Sequence, residues 1–277
     1  MPPSRPRRRP FKTELRHRIN AGRVALRAQI PFFKGQFGNV ECDWKEDDTR
    51  VTFADFAISE KILGALRADF PLDDCLSEES DPDDEVHSLR GDFAWVLDPI
   101  DGTNNYYLGL PWCAISLALL HEGRPIYGLF YDFSRDHLVE GGPGHGLWDN
   151  ARRIDSPKER NGLCGLHFPL KAEELAALGP LLKTYRVRSF GSSALNLALA
   201  ALGKLDGAYD GKVHVWDIAA GCALIEAAGG EVCFLRNDPF PLQLFHVRAP
   251  HLRLIAGSPA FLAHCQETVP GLFSESE

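Results

Sequence analysis

The chain has 277 residues, of which 44% are hydrophobic, 25% charged and 10% aromatic, a composition that excludes disorder throughout and suits one large domain or two fused halves. Its longest apolar stretches, such as Trp112 to Leu120, fall short of the ~18 to 20 residues that a membrane-spanning helix needs, so a soluble protein with no membrane segment is expected. Thirty basic against 38 acidic residues give a formal net charge of −8, which argues against a general nucleic-acid surface.

In chain order, MPPSRPRRRP is a Pro/Arg-rich arm expected to be disordered. No apolar run follows it, because Phe11 leads directly into KTELRHR; the reading is a protein without a secretory signal that stays cytoplasmic. Phe11 to Ile30 predicts an amphipathic helix. A second helix is predicted from about Asp55 to Asp69, where Phe53, Phe56, Ile62, Leu63 and Leu66 recur near helical spacing. SEESDPDDEVHSLRGD, with Pro82, reads as a loop. FAWVLD reads as a short buried strand that ends at Pro99, ISLALL and IYGLFYDF as a hairpin joined by HEGR, and GGPGHG as the turn of another hairpin. From Ala172 onward, AEELAALGPLLK, SSALNLALAALG and WDIAAGCALIEAAGG are helical patterns, the last stopped by Gly229 and Gly230. The change from β-rich to α/β character near residues 145–160 gives the expected division: the arm at 1–10, an N-terminal α+β half at 11–150 and a C-terminal α/β half at 151–277. The seven cysteines are odd in number and lack a C-x-x-C pair, so they read as reduced thiols.

WVLDPIDGTNNY carries the most chemistry. Asp98 and Asp101 close an apolar strand, Pro99 interrupts it, and Gly102 frees the backbone for a tight turn. That geometry directs both acids, the Ile100 carbonyl and the Thr103 hydroxyl into one small volume, and hard oxygen ligands so gathered suit Mg²⁺. Glu78 and Glu79 read alone as part of a solvated run continuing to Glu85, and Asp217 reads alone as an acid favoured at a helix N-terminus. Taken together, Glu78, Asp98, Asp101 and Asp217 supply four carboxylates to a cluster of divalent ions that would also neutralise an incoming phosphate.

From about Lys45 to Gly230 these segments resemble the inositol monophosphatase family, the lithium-sensitive, Mg²⁺-dependent sugar-phosphatase superfamily. WVLDPIDGTNNY matches its first signature, WDIAAGCALIEAAGG its second, and the EES element precedes the first. The resemblance implies an α+β fold, a layered α/β/α/β/α sandwich of the inositol monophosphatase and fructose-1,6-bisphosphatase type, assembled as a homodimer. It implies two or three Mg²⁺ ions held by Glu78, Asp98, the Ile100 carbonyl, Asp101 and Asp217. It places Asp55 of VTFAD beside Thr103, to orient that hydroxyl toward the attacking water; an N-cap for the following helix is the alternative role for Asp55. Lys45 stands where related enzymes carry a lysine near the site, or is a surface lysine. Gly191, Ser192 and Ser193 resemble the segment that approaches the substrate ring, at a helix N-terminus able to face an anion. Asp210 stands where inositol-selective members carry a glutamate, and Ser77 replaces a glycine common in the family.

The implied reaction is hydrolysis of a small polyol or sugar monophosphate, foremost myo-inositol monophosphate, by metal-activated water with inversion at phosphorus. Glu78, Asp55 and Thr103 serve the water. Asp101 and the N–H groups of Gly102 and Thr103 serve the phosphate, and Gly191, Ser192, Ser193 and Asp210 serve the rest of the substrate. Histidinol phosphate, fructose 1,6-bisphosphate and 3′-phosphoadenosine 5′-phosphate are alternatives used by relatives. A bisphosphate would need a basic cluster, and only Arg186, Arg188 and Lys212 are scattered candidates. A reading of another class makes the chain a non-catalytic binding protein that touches nucleic acid or an acidic partner through its Arg-rich arm. The presence of every acid the phosphatase site needs favours the enzyme.

Overall fold

The computed structural model describes residues 11–44, 50–80, 86–155 and 161–273; the arm at 1–10, Lys45, Pro82 and Glu85 lie outside the described residues. Helix α1 (Phe11–Gln36) is followed by the antiparallel pair β1 (Cys42–Trp44) and β2 (Arg50–Thr52), then by α2 (Phe53–Asp69). Next come β3 (Asp74–Ser77), β4 (His87–Ser88), β5 (Phe93–Asp101) and α3 (Thr103–Leu108). A meander follows: β6 (Ala114–His121), β7 (Arg124–Asp132), β8 (His137–Gly142), β9 (Gly146–Asp149) and β10 (Arg152–Ile154). Helices and strands then mix, in the order β11 (Leu163–Leu166), α4 (Ala172–Thr184), β12 (Arg186–Arg188), α5 (Ser193–Ala201), β13 (Gly207–Val213), α6 (Val215–Ala227), β14 (Glu231–Phe234), β15 (Leu244–Phe245), β16 (Leu252–Gly257) and α7 (Pro259–Thr268).

Two sheets organise these elements: a seven-stranded one in the order β10-β9-β8-β7-β6-β5-β3 and a five-stranded one in the order β12-β11-β13-β16-β14. Strand alternation sorts the core into three clusters. Phe93, Trp95 and Leu97 of β5 and Ile115, Leu117 and Leu119 of β6 pack with α1 and α2, whereas Ala94, Val96, Ala118 and Leu120 pack with α5 and α6. In the second sheet Leu254 and Ala256 face α5 and α6, and Ile255 joins Leu178, Leu181, Phe261 and Leu262 of α4 and α7. The result is the expected α/β/α/β/α sandwich. Every residue of β5 is buried because both faces of its sheet are covered, which explains its unbroken apolar run. Close contact fixes α6 on β7: a Cβ added at Gly128 would lie 2.4 Å from the Ala220 carbonyl oxygen.

Several boundaries differ from the sequence reading. α1 runs on from Ile30 through Pro31 to Gln36, held there by Phe33, whose ring stacks on Tyr106 at 4.8 Å and whose carbonyl accepts the Tyr106 hydroxyl at 2.7 Å. α2 starts at Phe53 rather than Asp55, and its core face is Ala54, Ile58, Ile62, Leu63 and Leu66; Phe53 and Phe56 are 53% and 52% exposed. The charged segment SEESDPDDEVHSLRGD, which reads as a loop in the sequence, contains β4, which pairs with β15. β5 does not stop at Pro99. Its pairing shifts between Asp98 opposite Ser116 and Asp101 opposite Ala114, and this bulge accommodates a proline with no N–H to donate. The hairpin expected at HEGR is present, its turn made by Glu122 and Gly123, both at positive φ.

Candidate active site

The bulge in β5 aims two acids at one point. Asp98 is 2% and Asp101 6% exposed, and an Asp98 oxygen accepts the Ile100 N–H at 3.1 Å, bracing the irregular backbone between them. The third acid arrives on α6, which packs across β5, β6 and β7. Asp217 lies in the first turn of that helix and accepts the His214 N–H at 2.6 Å, so its role as a helix-start acid and its place in the cluster coexist. Carboxylate oxygens of Asp98, Asp101 and Asp217 all lie within 4.8 Å of one another. Glu78 follows β3, which runs parallel to β5, and its N–H donates to the Leu97 carbonyl at 3.1 Å; this sets it beside Asp98.

Burial and mutual repulsion push these acids up. Asp98 is raised well above the ordinary carboxylate range by burial, then by the charges of Glu78, Asp101, Asp217 and Asp55. Asp217 is raised by burial, then by Glu78 and Asp101, against the opposing His214 N–H. Asp101 is pushed to about 6 by burial, opposed by the Ser192 hydroxyl and the Ala194 N–H that bind it. Among the described residues no lysine, arginine or histidine pairs with these three acids. Hard oxygen donors that are largely buried and have no counter-charge among the described residues fit a divalent cation such as Mg²⁺.

Beside the acids stands the expected pair of Thr103 and Asp55. Gly102 turns the chain at φ 83°, and any Cβ there would meet the Trp112 carbonyl at 2.8 Å. The Thr103 hydroxyl has two acceptors, the Ile100 carbonyl at 2.8 Å and an Asp55 oxygen at 3.2 Å. Asp55 is fully buried, and its other oxygen accepts the Thr52 N–H at 2.7 Å and the Thr52 hydroxyl at 2.6 Å. Thr52, not Asp55, is the N-cap of α2, and Asp55 completes the reciprocal cap three residues on. One Asp55 oxygen thus serves the start of α2 and the other accepts the Thr103 hydroxyl.

The segment expected to meet the substrate divides. Ser192 caps α5, accepting the Leu195 N–H at 3.1 Å, and gives its hydrogen to Asp101, so this fully buried side chain is committed to the acid cluster. Gly191 takes φ 68° and is held against α3 by Asn105, which donates to the Phe190 carbonyl at 2.7 Å and the Trp112 carbonyl at 2.8 Å. Ser193 donates to Asp210 at 3.1 Å, and Asp210, 1% exposed, is pushed to about 8 by burial, against the opposing Ser193 bond. Sequence reasoning did not find Asn105, Thr52 or His167, which lies 3.1 Å from Ser193. A signal for Thr52 existed, since Thr followed three residues later by Asp resembles a capping box. His167 carried none, because its neighbours are remote in the chain.

A layered sandwich with carboxylates from β5 and α6 converging beside a threonine on a tight turn defines a class of site suited to a divalent cation and a phosphate ester. Within that class the chain belongs to the inositol monophosphatase family, whose model matches residues 20–264. It is 33% identical over 221 residues to the Nus factor SuhB of Pasteurella multocida, covering 76% of this chain and 81% of that one. It is 31% identical over 218 residues to the inositol-1-monophosphatase of Bacillus subtilis, covering 76% and 79%. Among solved structures, the inositol monophosphatase from Anabaena (Nostoc) sp. PCC 7120 superposes with a TM-score of 0.72 at 28% identity, over 93% of this chain and 98% of that one. The extragenic suppressor protein suhB from Bartonella henselae gives 0.76 at 25%, over 91% and 97%.

Raised carboxyls make stability depend on pH in a set direction. An acid whose pKa is higher folded than unfolded keeps more protons in the native state, so stability falls as pH rises from the ordinary carboxylate range through the folded value. The metal-free protein is therefore expected to melt progressively lower from about pH 4 through about 6 for Asp101 and about 8 for Asp210. Mg²⁺ should flatten the Asp101 part and leave the Asp210 part. Calorimetry at fixed ionic strength with and without Mg²⁺ checks this; a metal-free melting temperature that climbs over that range would contradict it.

Proposed function

We propose that the chain hydrolyses the phosphate monoester of a small polyol or sugar, foremost myo-inositol monophosphate, with Mg²⁺ ions held by Glu78, Asp98, the Ile100 carbonyl, Asp101 and Asp217. The observation that carries this reading is the convergence of Asp98, Asp101 and Asp217 beside the Thr103–Asp55 pair. When bound, the metal supplies a lowered pKa for water and charge neutralisation for phosphate. Asp55 holds the Thr103 hydroxyl in a fixed orientation, as positioning a nucleophilic water requires. The N–H groups of Gly102 and Thr103, at the start of α3, have no partner within the helix and are assigned to phosphate oxygens. Asp101 is aligned for its two duties by the N-terminus of α5.

The same reading carries a cytoplasmic, lithium-sensitive homodimer, and a division into halves at 11–150 and 151–277 that makes the acid cluster depend on both, with Asp217 alone coming from the second. No helix of the described residues is long and apolar enough to cross a membrane. A second reading, as a binding protein, is favoured by the name Nus factor carried by several relatives. Deleting residues 1–10 and comparing turnover with binding to anionic polymers separates the two.

The substrate is tested by turnover with Mg²⁺ on inositol 1-phosphate, histidinol phosphate, fructose 1,6-bisphosphate and 3′-phosphoadenosine 5′-phosphate, with the highest kcat/KM expected for the first. Asp210→Ala should lower kcat/KM on inositol 1-phosphate by about tenfold while changing an aryl phosphate little, because a site built for a hydroxyl is left with an unmet partner only when that hydroxyl is present. Equal losses on both would return Asp210 to a purely structural role.

A further inference from the structure

One polar group beside the acid cluster has no part in the reaction outlined above. β11 and β13 run parallel with Leu166 opposite Tyr209, so the next positions along the two chains are His167 and Asp210. Leu166 and Tyr209 both point into the core under α4 and α7. Alternation turns His167 and Asp210 to the opposite side, toward the N-terminus of α5, where Ser193 meets them. The Ser193 hydroxyl lies 3.1 Å from His167 Nδ1 and 3.1 Å from Asp210 Oδ1, and His167 Nδ1 is 3.8 Å from that same oxygen. Ser193 directly follows the serine that binds Asp101, so this trio adjoins the cation-binding acids.

The three members differ in access. Asp210 and Ser193 are 1% and 3% exposed, and the second Asp210 oxygen is buried with no hydrogen-bond partner among the described residues. His167 keeps 28% of its side chain exposed, which makes the imidazole the trio's face to solvent. With the single Ser193 hydrogen given to Asp210, the Ser193 oxygen is left to accept from His167 Nδ1–H, and this is the tautomer we assign. That tautomer leaves Nε2 as a bare acceptor.

We propose that His167 is a substrate-contacting specificity residue, whose Nε2 accepts a hydrogen bond from a hydroxyl of the phosphorylated polyol while Ser193 and Asp210 fix the ring. The assignment rests on the phosphatase reading above and deepens it: the trio selects an uncharged, hydroxyl-bearing group on the alcohol side. Burial, and after it Lys212, hold the imidazole below its ordinary pKa and so neutral, which suits a hydroxyl better than a second phosphate. A histidine present only to brace Ser193 would affect every substrate alike.

The test compares His167→Ala and His167→Gln with the parent on myo-inositol 1-phosphate and p-nitrophenyl phosphate, with Mg²⁺. His167→Gln supplies a second variant should alanine impair folding. The expected result is a KM for inositol 1-phosphate raised about tenfold in the alanine variant and partly restored by glutamine, kcat held within about twofold, and aryl phosphate kinetics unchanged. Equal changes on both substrates, or none on inositol 1-phosphate, overturn the proposal. A parent that cleaves the aryl phosphate but not inositol 1-phosphate overturns it while leaving a phosphatase. If the parent cleaves neither, the phosphatase reading falls by itself, and ¹⁵N NMR of the imidazoles with inositol 1-phosphate and Mg²⁺ decides the contact. A shift at His167 Nε2, assigned with the glutamine variant, supports it; no shift overturns it.

Discussion

Asp98→Asn is expected to lower kcat/KM by about 10²-fold or more at saturating Mg²⁺ while leaving the protein folded and, without metal, more stable. The change is nearly isosteric, and an asparagine oxygen can still accept the Ile100 N–H that braces the bulge. What disappears is a carboxylate disfavoured first by burial and then by the charges of Glu78, Asp101, Asp217 and Asp55. Removing that charge relieves the metal-free site, so the melting temperature should rise, by ~2–4 °C for each kcal/mol of repulsion relieved. With metal the sign reverses, because a site that holds the cation less tightly gains less stability from it, and the reaction loses an electrostatic group. Steady-state kinetics and paired melting curves with and without Mg²⁺ read both effects. Turnover within about threefold of the parent would remove Asp98 from the site, and a lower metal-free melting temperature would show that its role is structural.

The opposite signs expected at Asp98 reflect how much of the site was legible in the sequence. Acids at the end of an apolar strand contradict the local pattern, and contradictions of that kind concentrate at functional sites. Asp98 and Asp101 could therefore be picked out before any contact was known, whereas Asp217, an ordinary helix-start acid when read alone, joined them only as a member of the set. The α/β/α/β/α layering followed from the resemblance, while the hairpin at Glu122–Gly123 followed from two apolar runs separated by HEGR. What could not be read depended on tertiary neighbours. Pro31 argues locally for a helix end, and only the Phe33–Tyr106 contact explains why α1 continues. Pro99 argues for a strand end, and only the register shift opposite Ile115 shows that β5 carries it as a bulge. His167 and Ser193 are 26 positions apart in the chain, and their meeting follows from the parallel pairing of β11 with β13, which no local pattern announces.

Thr103→Ala should lower kcat by about 10²-fold with KM changed little, the signature of a group used in the transition state rather than in binding. The hydroxyl is held between the Ile100 carbonyl and Asp55, and removing it leaves the backbone N–H assigned to phosphate in place. The substitution is a cleaner probe than changing Asp55. Asp55 also accepts the Thr52 N–H and hydroxyl, so its loss would loosen the start of α2 by ~1 kcal/mol and mix a folding effect with a catalytic one. Thr103→Ser retains the hydroxyl and should restore most of the rate, which a packing role for the threonine methyl would not allow. Single-turnover kinetics on inositol 1-phosphate, with Mg²⁺ saturating, separate the chemical step from product release. A KM that rises steeply while kcat persists would place the Thr103 side chain in phosphate binding, and the Asp55 carboxylate would then have no water-positioning hydroxyl to orient.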